Sequence, residues 1–248
     1  MQRAAFSLVE LLVAIGVIVV LLAVAAPAVW GAYKTSSLAV SANNIRQLAA
    51  GSAAYLGDNN FVFWKYREGV PRQGVRWWFG LEPSASLSAS EGNRTFDPLK
   101  GPLSGYVPAG FRPDPSFGFS GKPFKPKYKF GYIGLGYNVL LGGGWTGFSP
   151  LVRYWELQNP AEIVVFATSA QVNTFQRPAS SRNPMVEEFY GIDDREVTVH
   201  FRNNGQAMVA FANGSAGFLP MDESTLDRRA PNAQVGRFAP KGSTKYLR

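Results

Sequence analysis

Cysteine is absent from the 248 residues, and histidine occurs once, at His200. Without cysteine, disulfide support and thiol chemistry are excluded. A lone histidine with no clustered Cys, Asp or Glu makes a poor metal site, and it is expected on the polar face of a strand. Charge is scarce as well, at 17% of the chain, and its balance is +8. That sign favours acidic partners (nucleic acid, anionic lipid, acidic polysaccharide) without choosing among them. The acidic pairs Asp193 with Asp194 and Asp222 with Glu223 fall short of the roughly six to eight oxygens that calcium takes. "FGYIGLGYNVLLGGG" has glycines but lacks a strand–GxGxxG–helix context with a following acid. With no nucleophile–base pair and no metal cluster, no catalytic residue, metal or cofactor is expected, and neither is an enzyme.

What the chain does have is an apolar start, "MQRAAFSLVELLVAIGVIVVLLAVAAPAVW". Residues 11–32 carry no charge. As a helix they would extend about 33 Å, enough for a bilayer core of about 30 Å. A cleaved secretory signal is the rival reading, but it calls for a shorter apolar region followed by a small-residue cleavage site. Here the helical pattern continues. Leu38, Ala42, Ile45, Ala49 and Leu56 recur at spacings of three, four and seven, with Asn43, Asn44 and Gln47 largely off that stripe. Gly57, Asp58, Asn59 and Asn60 form a stop signal. Glu10 stands out at the edge of the apolar run. It either sits at headgroup level in the first helical turn, favoured by the dipole, or it has a cationic partner within the apolar layer. Charges on both sides of the span (Arg3 before it, Lys34 and Arg46 after it) leave the positive-inside rule ambiguous.

"AFSLVELLVAIGVIVVLLAVAAPAV" resembles the N-terminus of bacterial type IV pilins and type II secretion pseudopilins. The resemblance implies a basic leader (residues 1–5) cut between Ala5 and Phe6. Ala5 stands where the family usually has glycine. A prepilin peptidase/methylase would leave Phe6 as an N-methylated first residue. Glu10 then falls at the family's glutamate position, for assembly, and Pro27 at a position where many pilins carry a proline that can kink the helix. The implied partners are other pilin or pseudopilin subunits, the processing enzyme, an inner-membrane assembly platform and membrane lipid. The implied place is a single pass through the inner membrane, with the N-terminus cytoplasmic and the domain periplasmic or outside the cell. Pairing of Glu10 with a neighbour's N-terminal amine would satisfy two buried charges at once.

The fold class expected is α+β: a long N-terminal helix packed on a small antiparallel sheet, pilin-like. The plan divides into residues 6–33 (membrane or filament core), 34–57 (amphipathic helix), 58–222 (globular domain) and 223–248 (a polar, basic, mobile tail). The 26 glycines, 17 prolines and 14% aromatic content suit a loop-rich domain with an aromatic core. Trp77, Trp78 and Phe79 are either core or a ligand platform. Arg112, Lys122, Lys125, Lys127 and Lys129, interleaved with aromatics, are either a solvated loop or a surface for DNA or acidic glycan. The apolar run 163–167 reads as a buried strand. Further on, Val197, Val199 and Phe201 alternate with polar residues, and turns follow at Asn203, Asn204 and Gly205 and at Asn213 and Gly214. That pattern predicts a three-stranded meander. The same stretch resembles a pilin-like subgroup whose signature is histidine, nine residues, then Asp-Gly. Asn203 stands at the histidine position and Asn213 at the aspartate, while Gly205 and Gly214 fit. The substitution keeps the turn chemistry and removes the ionisable groups.

Overall fold

A computed structural model describes residues 7–107, 114–117, 124–129 and 133–248. Ala5, Phe6, Arg3, Arg112 and Lys122 lie outside the described residues. The chain divides into two units, Met1–Ala39 and Val40–Arg248. The protein is α+β, with one long N-terminal helix, α1 (Leu8–Asp58), and several small sheets.

In the first unit the apolar run of α1, residues 8–33, is exposed. Leu8 is 80% exposed and Val24 75%, and among the described residues no side chain of the apolar run is buried. It is long and apolar enough to cross a membrane. The helix continues through Pro27, which lacks the N–H that would bond the carbonyl of Ala23.

In the second unit α1 becomes amphipathic. Ser41, Ile45, Leu48, Ala49, Ser52 and Leu56 are buried, while Arg46 and Gln47 are exposed. Its end matches the expected stop. Asn60 and Phe61 both adopt positive φ (52° and 55°), and Phe61 N donates to Leu56 O at 2.8 Å, closing the last turn.

The strands among the described residues are β1 (Arg67–Val70), β2 (Gly74–Trp77), β3 (Gly80–Pro83), β4 (Phe124–Lys125), β5 (Leu135–Asn138), β6 (Val164–Thr168), β7 (Gln171–Asn173), β8 (Met185–Glu187), β9 (Gly191–Ile192), β10 (Val199–His200), β11 (Gln206–Phe211), β12 (Ala216–Pro220) and β13 (Val235–Gly236). The largest sheet has the order β12-β11-β6-β5-β9. Its contacts are antiparallel except β5 with β9, which is parallel. A single antiparallel sheet is therefore the wrong picture: there are several sheets, and β4 also pairs with β8 in parallel. Strand β6 is buried at every position, as its unbroken apolar run requires in the middle of a sheet.

Two further sequence expectations need correction. The first strand of the expected meander leaves the sheet. β10 pairs with β13, and its neighbours Thr198 and His200 are buried with Val199, so the in/out alternation is lost. Only β11 and β12 form the hairpin. The second correction concerns residues 223–248. They are not a loose tail: Val235 and Leu247 are 0% and 5% exposed, Val164 N donates to Tyr246 O at 2.7 Å, and Asn138 Nδ2 donates to Leu247 O at 2.8 Å. Backbone pairing, which composition does not reveal, holds this segment in place.

Aromatic rings fill the interior. Trp64 stacks on Tyr137 (4.9 Å) and Phe166 (5.8 Å), and Trp78 meets Phe79 edge-on (5.5 Å). Each buried aromatic stabilises the fold by about 1.5–3 kcal/mol relative to exposure. Trp78 Nε1 donates to Tyr190 O at 2.7 Å and Tyr137 OH donates to Trp64 O at 2.9 Å, so these two polar ends are satisfied.

Candidate functional site

The apolar half of α1 starts at a reciprocal cap. Ser7 N donates to Glu10 Oε2 at 2.9 Å, and Glu10 N donates to Ser7 Oγ at 3.2 Å. Two amides that a helix start leaves open are satisfied by each other's side chains. Its signature in the sequence is Ser-x-x-Glu, residues 7–10. The cap explains how Glu10 is held, and it leaves the carboxylate exposed to whatever surrounds the helix. Toward the end of the apolar run, Trp30 and Tyr33 stack at 6.1 Å. Such rings suit a membrane–water boundary, apolar on the body and polar at the tip. A run so exposed needs cover by lipid or by other apolar helices.

The chain matches no family model, no curated protein and no solved structure.

In the second unit the motif residues form turns. Asn204 (φ 54°) and Gly205 (φ 75°) are the two central residues of a tight hairpin turn closed by Asn203 and Gln206, whose amides and carbonyls exchange bonds at 3.1 Å. Asn213 Oδ1 accepts from Ser215 N (3.0 Å) and Ser215 Oγ (2.7 Å), an Asx turn. Gly214 (φ 85°) passes close to α1, where an added Cβ would lie 3.5 Å from that of Ala53. Asn203 and Asn213 stand at opposite ends of β11, so the structure does not bring them together.

His200 is buried, not on a polar face. Its Nδ1 lies 2.9 Å from Arg202 Nη1, an acceptor position, which sets the neutral tautomer with the proton on Nε2. Burial, then the charge of Arg202, hold its pKa well below the ordinary value. Arg202 also donates to Asp114 Oδ2 and to Gly134 O (2.8 Å). Asp114 accepts from Ser41 of α1 and from Ser116 N at 2.9 Å. Burial alone would raise the Asp114 pKa. The Arg202 charge and the hydrogen bonds from Ser41, Arg202 and Ser116 outweigh it and hold the carboxyl below its usual range. This cluster joins α1 to the sheet region within the second unit, and nothing in the spacing of the sequence announced it.

The basic, aromatic stretches are mostly spoken for. Trp78 and Phe79 are fully buried, which answers core rather than platform. Lys125 is 3% exposed and pairs with Glu91 and with Glu187 (3.2 Å). Lys127 lies 3.7 Å from Glu187 and 5.6 Å from the Tyr190 ring centroid. Glu82 is buried and bound by Arg94 (2.7 Å), Trp77 Nε1 (3.0 Å) and Tyr128 OH (3.0 Å). Among the acidic pairs, Asp193 Oδ1 accepts from Arg195 N (2.9 Å) and Oδ2 from Trp145 Nε1 (2.6 Å), while Asp222 Oδ1 accepts from Ser224 N (3.0 Å). Among the described residues no three such side chains gather where a metal ion could sit.

Proposed function

We propose that this chain is a structural subunit of a type II secretion pseudopilus or a type IV pilus-like filament, with a pilin-like fold. A prepilin peptidase cuts between Ala5 and Phe6 and methylates Phe6. The subunit then waits in the inner membrane, N-terminus inward, until an assembly platform draws it into the filament. The observation that carries this reading is the exposed apolar half of α1, whose one carboxylate, Glu10, is fixed in the first turn by Ser7. The cap uses the Ser7 amide, which stays in a peptide bond to Phe6 after the cut, so processing leaves the Glu10 geometry intact. The carboxylate then accepts the Phe6 amine of an adjacent copy, and two charges in an apolar layer compensate one another. Pro27 adds local give where helices wrap round each other.

Glu10→Ala removes cap and charge together, so Glu10→Gln is the sharper substitution: it keeps a capping acceptor and removes the charge. Filament assembly should fail in Glu10→Gln as fully as in Glu10→Ala, with membrane insertion unchanged. Normal assembly of Glu10→Gln would make Glu10 a helix cap only.

A further inference from the structure

A surface cavity of about 500 Å³ lies where the end of α1 meets β1 and β2. Trp64 and Tyr55 contribute its aromatic lining, and Lys65, Arg76 and Lys100 bring three cations to a single carboxylate, Glu68. That volume falls within the range of small-ligand sites. Glu68 is shared between Arg76 (2.8 Å) and Lys65 (3.5 Å). Lys100 pairs at 3.5 Å with Asp97, which is not one of the lining residues. The lining is therefore short of negative charge. Trp64 Nε1 is buried without a hydrogen-bond partner among the described residues, a costly state for an indole donor. Tyr55 adds a hydroxyl, kept protonated because burial, then Tyr106 and Glu68, raise its pKa.

We propose that this cavity binds an acidic saccharide, a sugar ring bearing a carboxylate. The cations take the ligand's carboxylate, and Glu68 accepts its hydroxyl hydrogens. The presence of Glu68 decides against a DNA backbone, whose phosphates and deoxyriboses offer no donor for a carboxylate. The Trp64 ring is 2% exposed and lies against Tyr137 and Phe166, so it offers no open face for a base to stack on. This inference is independent of filament assembly, because the subunit alone carries the whole cavity.

The test is binding of fluorescent oligogalacturonate to the full chain in detergent, read by anisotropy at low salt. The uncharged galactose oligomer and duplex DNA serve as comparison probes. The wild-type chain should bind oligogalacturonate and leave the neutral oligomer unbound. Lys100→Glu, at a side chain 59% exposed, should weaken binding by about tenfold or more, and Lys65→Glu should do the same. Arg228→Glu alters net charge equally, at an exposed residue outside the lining, and should change affinity by less than about twofold. Absence of binding, equal binding of the neutral oligomer, or equal damage from Arg228→Glu each overturns the proposal. Tighter binding of DNA that is lost in Lys100→Glu would make this a nucleic-acid site instead.

Discussion

Arg202 meets Asp114 in the interior of the second unit, and Ser41 of α1 bonds to the same carboxylate. Both charged side chains are 4% exposed. Replacing one partner leaves an uncompensated buried charge. Arg202→Met should therefore destabilise the fold by about 3–5 kcal/mol, measured by chemical denaturation of the chain in detergent. The double variant Arg202→Met with Asp114→Asn should recover a substantial part of that loss, since no lone charge remains.

The same cluster makes the protein acid-sensitive. His200 has a folded pKa below its unfolded one, so below about pH 6.5 the unfolded chain binds the extra proton and stability falls, by up to about 1.4 kcal/mol per pH unit. Asp114, also depressed, adds to the loss at lower pH: its contribution is complete above its unfolded pKa and disappears as pH falls through the folded one. His200→Asn keeps an acceptor for Arg202 and cannot titrate. Between about pH 6.5 and 5 its stability should lack the decline that His200 gives the wild-type curve.

Glu188 behaves in the opposite sense. Burial raises its pKa against the pull of hydrogen bonds from the Lys127 and Tyr128 amides. A raised folded pKa means that its contribution is complete below the unfolded pKa and is lost as pH rises through the folded one. Glu188→Gln keeps the acceptor and removes the cost of ionisation. It should unfold at a higher temperature than wild type at neutral pH, with the gap narrowing in acid.

The hairpin turn needs two residues at positive φ. Gly205→Ala should cost about 1–2 kcal/mol, read as a lower thermal midpoint. Asn204→Gly should be close to neutral.

The sequence made the helix, its stop, the strand β6 and the β11–β12 hairpin legible, because each rests on local rules: periodicity of apolar residues, a run of Gly, Asp and Asn, and Asn-Gly turns. It concealed what depends on distant partners. Lys125 looks like a surface lysine until Glu91 and Glu187 are brought beside it. His200 looks polar-facing until β13 covers it, and β13 comes from a stretch whose few apolar residues have no period. Leu48 and Ser41 widen the buried stripe of α1 beyond Leu38, Ala42, Ile45, Ala49 and Leu56. The Ser7–Glu10 cap is equally local: Ser-x-x-Glu at a helix start carries it.

The central claim is a processed amine waiting for Glu10. Mass spectrometry of the N-terminal peptide, taken from protein extracted out of its native membrane, tests it most directly. The account predicts a peptide that begins at an N-methylated Phe6. A peptide that still begins at Met1 would contradict it.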